Sequence, residues 1–131
     1  MFGQKAKNTI DSLIGTLTTI EGNLRFKGGL RVDGHVKGNL IADPMENSML
    51  VISEQASVEG EIRAEHVVVD GAIIGAVYCS ELLELQPKAR ITGDVHYKAL
   101  EMHQGATIAG QLRPMLLGEE KPTLKLAANN G

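Results

Sequence analysis

Six times along the chain a glycine stands midway in a five-residue unit flanked by aliphatic residues. The units are Ile20-Glu-Gly22-Asn-Leu24, Val36-Lys-Gly38-Asn-Leu40, Val58-Glu-Gly60-Glu-Ile62, Ile73-Ile-Gly75-Ala-Val77, Ile91-Thr-Gly93-Asp-Val95 and Ile108-Ala-Gly110-Gln-Leu112. Successive glycines are 16, 22, 15, 18 and 17 residues apart, and the longest step contains Asp43 to Ser48, DPMENS, a loop-like insertion. A period of this length is one coil of a solenoid, and no other feature restricts the possible folds so strongly.

Within the units the alternation is that of a strand. Ile91, Gly93 and Val95 share one parity and Thr92, Asp94 and His96 the other, so the apolar set faces inward. A second apolar pair, such as Leu30 with Val32, Leu50 with Ile52 or Leu83 with Leu85, precedes most of the glycines, so each coil holds several very short strands. Gly22, Gly38, Gly60, Gly75, Gly93 and Gly110 share the inward parity and read as structural glycines at sharp corners of a narrow coil. The chain is 43% hydrophobic but only 3% aromatic, so Val, Ile and Leu must fill the interior. Six coils at strand spacing make a rod of about 25–30 Å.

An 18-residue coil also suits three hexapeptides of a left-handed β-helix, which needs an aliphatic residue at every sixth position. Leu85, Ile91 and Tyr97 begin such a series and His103 ends it; Ile52 and Val58 lead to Ala64 and then Asp70. The spacing therefore predicts an all-β chain, a right-handed parallel β-helix of about six coils over residues 16–113. Short flexible tails are expected at 1–15 and 114–131, the latter disordered because it carries Pro114, Gly118, Pro122 and polar final residues. Ile10, Leu13, Ile14 and Leu17 have spacing that fits either one or two helical turns or an irregular lead-in.

The remaining residues restrict function. A net charge of −3 argues against nucleic acid as a partner, and no G-x-x-x-x-G-K-[ST] loop is present to hold a nucleotide. Cys79 is the lone cysteine and shares inward parity with Val77, so it reads as a small core residue and points to a reducing compartment. No apolar run approaches the roughly 20 residues that cross a bilayer, and the N-terminus lacks a signal-peptide core, so a cytoplasmic location is expected. His35 and His96 have outward parity, and with His66 and His103 they show no H-x-x-x-H spacing, so no metal site is expected. Glu59, Glu61, Asp94 and Glu101 follow the solvated exterior. No catalytic residue and no cofactor are expected.

A β-helix ends in unpaired N–H and C=O groups around a bare apolar column, and such an edge invites pairing with another chain. Natural solenoids usually carry polar caps, for which this sequence supplies little. Ile20, Leu24 and Phe26 are candidates for a polymerisation surface at one end, and Met102, Ile108 and Leu112 at the other; each is equally placed to be ordinary core. In the opposing reading, Leu13 to Leu17 and Met115 to Leu117 fold over the ends as caps.

From Ser12 to Leu40, SLIGTLTTIEGNLRFKGGLRVDGHVKGNL, and most specifically from Phe26 to Gly34, the sequence closely resembles the bactofilins, bacterial polymer-forming cytoskeletal proteins. The resemblance extends over the repeats to Leu112. It implies a right-handed β-helix that polymerises without nucleotide into non-polar filaments through contacts between like ends. It also implies a scaffold for cell-wall synthesis or hydrolysis enzymes, or their membrane partners, at the inner face of the cytoplasmic membrane. A membrane-binding peptide typical of the family maps onto Met1, Phe2, Lys5 and Lys7. Two other classes compete: an acyltransferase-like enzyme on a left-handed β-helix, disfavoured by the broken hexads, and a monomeric β-helix binding module, disfavoured by the shortage of aromatics.

Overall fold

The computed structural model describes residues 9–115 and the strand Thr123–Leu126. The chain winds as six coils, each contributing a strand to three faces. The first coil is β1 (Ser12–Ile14), β2 (Thr19–Glu21) and β3 (Leu24–Phe26), and the second is β4 (Gly28–Val32), β5 (His35–Lys37) and β6 (Leu40–Ala42). The third is β7 (Ser48–Ile52), β8 (Ser57–Glu59) and the start of β9 (Ile62–Val69), which bends around the corner into the fourth. β10 (Ala72–Ile74) and the start of β11 (Val77–Leu85) complete the fourth; the rest of β11, β12 (Arg90–Thr92) and the start of β13 (Val95–Met102) make the fifth. The rest of β13, β14 (Thr107–Ala109) and β15 (Leu112–Pro114) close the sixth, and β16 (Thr123–Leu126) follows.

Every pairing between coils is parallel. The first face stacks β1, β4, β7, the later parts of β9, β11 and β13, and then β16. The second stacks β2, β5, β8, β10, β12 and β14, and the third β3, β6, the early parts of β9, β11 and β13, and β15. The parallel solenoid expected from the repeats is therefore present, with six turns and no helix among the described residues.

Register explains the core. Ile20, Val36, Val58, Ile73, Ile91 and Ile108 stand above one another along the second face, one from each glycine unit. Leu24, Leu40, Ile62, Val77, Val95 and Leu112 form the matching column of the third. On the first face Ile14, Val32, Ile52, Val69, Leu85 and Met102 do the same. Members from the second to the fifth coil are buried, so each aliphatic side chain packs on those above and below it. Cys79 lies fully buried in this core, its Sγ 3.1 Å from the Glu65 carbonyl oxygen, and burial pushes its thiol pKa up to about 12.

The structural glycines stand at the corners, but they face along the stack rather than into the core. Those of the middle coils are half-exposed, and a Cβ on Gly38, Gly60, Gly75, Gly93 or Gly110 would overlap the carbonyl oxygen of the glycine one coil earlier. What excludes a side chain is the close approach of successive backbones. Parity alone placed them inside; the corner rotates them out of it.

The corner between the first and second faces comes in two lengths. Coils one, three, five and six use four-residue turns, Gly15–Thr18, Ser53–Ala56, Gln86–Ala89 and His103–Ala106, each closed by an N–H···O bond of 2.9–3.2 Å from fourth residue to first. Coils two and four use only Asp33-Gly34 and Asp70-Gly71. Gly34 and Gly71 are buried there because a Cβ would strike the carbonyls of the turn below. Since coil four has no protruding turn, the turns on either side meet across it, with Lys88 Nζ 2.6 Å from Glu54 Oε2. This exchange of long and short corners accounts for much of the uneven spacing between the repeat glycines.

Three stretches differ from expectation. Ser12–Ile14 is a strand paired with β4, not a helical turn or part of a tail: Ile14 points in and Leu13 points out, so the helix-like spacing there is coincidental. The inserted loop is 43–47, because Ser48 begins β7, is buried, and accepts the Glu65 N–H on its hydroxyl at 2.9 Å. Thr123–Leu126, within the stretch expected to be disordered, is a strand in register with Ala99–Met102; the open edge of β13 offers it a complete set of backbone partners.

Candidate assembly surfaces

The ends of the solenoid are where its apolar columns stop. At the N-terminal end Ile20, Leu24 and Phe26 belong to the first coil and are half-buried, whereas their column neighbours Val36 and Leu40 are 1% and 0% exposed. Among the described residues no side chain continues these columns beyond the first coil. β2 is the terminal strand of the second face, and β1 and β3 close the other two, so among the described residues no strand pairs with the outer edge of the first coil.

At the C-terminal end the second- and third-face columns finish, among the described residues, at Ile108 and Leu112, whereas Met102 on the first face is followed in register by Leu126 of β16. Met102 and Ile108 are half-buried, and Leu112 is 43% exposed although its neighbour Val95 is fully buried. Here the edges are unequal. β14 ends the second face and β15 the third, while β16 lies along the later part of β13. Among the described residues the two ends therefore differ: three strand edges without a partner at one, and two, beside β16, at the other.

Sequence spacing thus placed Ile20, Leu24, Ile108 and Leu112 in the first and last coils, where they stand, but Met102, expected with them, is followed by Leu126 because β16 adds a further strand to its face. It missed Ala106, which is half-buried in the last coil, and Ile14, the first-face counterpart of Ile20. Neither belongs to a glycine-centred unit, so the repeat does not mark them. Leu13 and Leu17 do not fold over the end: Leu13 is 61% exposed on the outer side of β1, and Leu17, at the tip of the first turn, is 100% exposed. Met115 lines a groove of about 420 Å³ with Ile41, Pro44, Arg63 and Tyr78 on the side of the rod. Met1, Phe2, Lys5 and Lys7 lie outside the described residues, as do Leu116 and Leu117.

The sides carry stacked polar ladders. On the third face the Arg63 guanidinium lies 4.0 Å from the Tyr78 ring centre, and Tyr78 stacks on His96 with centroids 4.2 Å apart and planes 9° from parallel. Asp94 accepts from the Gln111 N–H at 3.0 Å and from Arg113 Nε at 3.1 Å, and these bonds, the backbone one foremost, lower its pKa. At the short corner, the Ser53 hydroxyl and then Arg31 lower that of Asp33. His35 is exposed and its Nδ1 is 2.6 Å from Ser57 Oγ. Apart from Arg31 with Asp33, which pair within the second coil, each of these contacts joins one coil to another, and among the described residues no group of three or more His, Cys, Asp or Glu side chains is placed to hold a metal ion. Nor is any helix among them long and apolar enough to cross a membrane.

The described residues thus define a stacked parallel β-solenoid. The bactofilin family, described as polymer-forming cytoskeletal, matches residues 12–113, and the chain belongs to that family. Bactofilin BacP of Myxococcus xanthus (strain DK1622) is 23% identical over 124 residues, which cover 91% of this chain and 50% of BacP. Bactofilin BacO of the same organism is 23% identical over 111 residues, 85% of each chain. The chain thus spans half the length of BacP and most of BacO. No solved structure matches it.

Proposed function

We propose that the protein is a cytoskeletal scaffold whose rods join end to end, without nucleotide, into non-polar filaments. The observation that supports this reading is that the second- and third-face columns end, among the described residues, on incompletely buried side chains, Ile20, Leu24 and Phe26 at one end and Ile108 and Leu112 at the other; Met102 lies beside them under the added strand β16. Continuing those columns with a second copy buries apolar surface and satisfies strand edges in one step. Joining like end to like end makes each junction a twofold contact, and a filament of such junctions has no polarity. The test is sedimentation of the untagged protein in ordinary buffer with no nucleotide. A pelleting polymer seen as filaments by negative-stain electron microscopy is expected; a monodisperse monomer would reject the reading.

The filament in this reading binds the inner face of the cytoplasmic membrane through Met1, Phe2, Lys5 and Lys7 and gathers cell-wall enzymes or their membrane partners. One aromatic and two cations bind anionic lipid weakly, but a filament displays many copies, and avidity multiplies the effect. Replacing Phe2, or both lysines, is expected to release the protein from anionic liposomes while filaments persist. Unchanged co-flotation with the liposomes would remove the N-terminal peptide from the account.

A further inference from the structure

The chain climbs the rod by one strand spacing per coil, so each end is a ramp rather than a flat face. At the N-terminal end β1 is outermost among the described strands, β2 is the middle of the ramp and β3 the innermost. At the C-terminal end the terminal described strands are β14 on the second face, β15 on the third and β16 on the first. β16 pairs in parallel with the later part of β13, Thr123 beside Ala99 and Leu126 beside Met102, and so opens a seventh level. The ramp therefore rises in the order β14, β15, β16, and its middle strand lies on the third face. Without β16 the order would be the later part of β13, β14, β15, and the middle would lie on the second face, as it does at the N-terminal end.

We propose that β16 is a junction strand: it seats a second copy on the C-terminal end with the twofold axis through the third face, whereas the N-terminal junction has its axis through the second. This inference rests on the end-to-end reading above. A twofold perpendicular to the rod carries the face it pierces onto itself and exchanges the other two. Two copies of one ramp meet evenly when the highest strand of each stands over the lowest of the other, which puts the middle strand on the axis. At the C-terminal end β16 of each copy then lies against β14 of the other, and β15 lies against β15. All three pairs are antiparallel and their edges are paired in one step. With the axis through the second face, β14 would meet β14, and the higher strands would hold these two about one strand spacing, roughly 5 Å, too far apart to bond. Arg113, exposed at the centre of β15, stands on the proposed axis; its Nε donates to Asp94 Oδ2 at 3.1 Å, so each of the two guanidinium groups that meet there is backed by a carboxylate.

The geometry of the filament follows. Two twofold axes through the same face combine to a plain translation, but axes through neighbouring faces combine to a rotation of twice the angle between them. The faces of a three-sided rod are about 120° apart, so each dimer is turned by one face relative to the last, apart from the twist of the coil stack. Thr9–Asp11, held against the first face by the 2.8 Å bond from the Asp11 N–H to the Gly29 carbonyl, are then distributed round the filament instead of along one side.

The test reads the position of the axis by disulfide formation in the full chain, oxidised after assembly and run on denaturing gels, with filaments followed by negative-stain microscopy. The native Cys79 is buried, with its thiol pKa pushed up to about 12, and does not compete. In R113C the substituted positions of two copies face each other across a third-face axis, within the roughly 7 Å between Cα atoms that a disulfide tolerates, and covalent dimers are expected. L124P/K125P takes away a backbone donor on each side of β16, because successive residues of a strand bond to opposite neighbours. In that background the axis is expected to move to the second face with filaments kept. R113C dimers are then lost, and an equimolar mixture of T107C and A109C, set opposite each other by a twofold through Ile108 on β14, becomes cross-linked. R113C that stays monomeric on the gel although filaments form, or R113C dimers that survive the prolines, overturns the proposal and leaves the end contacts standing. A wild type that forms no filaments overturns both readings. Should the double substitution unfold the rod, as a thermal melt would reveal, L124P is the milder variant and carries the same expectation.

Discussion

Gly75→Ala is expected to melt the rod from its middle. Gly75 has φ +148°, a backbone conformation that side-chain-bearing residues rarely adopt, and an added Cβ would overlap the Gly60 carbonyl oxygen beneath it. Relief requires the fourth coil to lift off the third, which breaks the column contacts of Val58 with Ile73 and Ile62 with Val77. Strained backbone and lost packing together cost about 3 kcal/mol or more. For a domain of this size that lowers the melting temperature by roughly 10 °C. Gly110→Ala is the comparison: its Cβ would meet the Gly93 carbonyl in the same way, but the last coil is held from one side only on two of its faces and can yield. Circular dichroism melts of the two variants decide the matter, and equal losses would mean that the glycine ladder does not govern stacking.

Leu112→Asp is expected to convert filaments into dimers. Leu112 ends the third-face column and is 43% exposed, so the substitution leaves the folded monomer nearly unchanged. Burying an unpaired carboxylate in a junction costs roughly 3 kcal/mol or more, which weakens that contact about a hundredfold. The N-terminal end keeps Ile20, Leu24 and Phe26, so copies still join in pairs through it. Mass photometry should find dimers where the wild type gives polymer. Long filaments from L112D would show that the C-terminal end is not used.

The sequence makes the columns legible because their members recur at fixed offsets from glycine. Ile20, Val36, Val58, Ile73, Ile91 and Ile108 could be stacked on paper before any coordinate was known. The burial of Cys79 followed from the same parity. β16 was hidden, because Thr-Leu-Lys-Leu after two prolines resembles any polar tail; only the free edge of β13 selects it as a strand. The true setting of the glycines was hidden too, since alternation describes a straight strand and fails where the chain turns a corner. Contacts between outward residues of different coils, such as Tyr78 with His96, follow from register, and register depends on corner lengths that the uneven spacing conceals.

The loop at 43–47 has a practical meaning. It adds residues at a corner without displacing Leu40, Ala42, Leu50 or Ile52 from their columns, and its Met45 is 86% exposed. Length is thus absorbed at the vertices while the flat sides keep their alignment. Such a vertex is where the rod can carry a passenger, whether an epitope, a fluorophore or a recruited domain, and leave the lattice of side chains beneath it undisturbed.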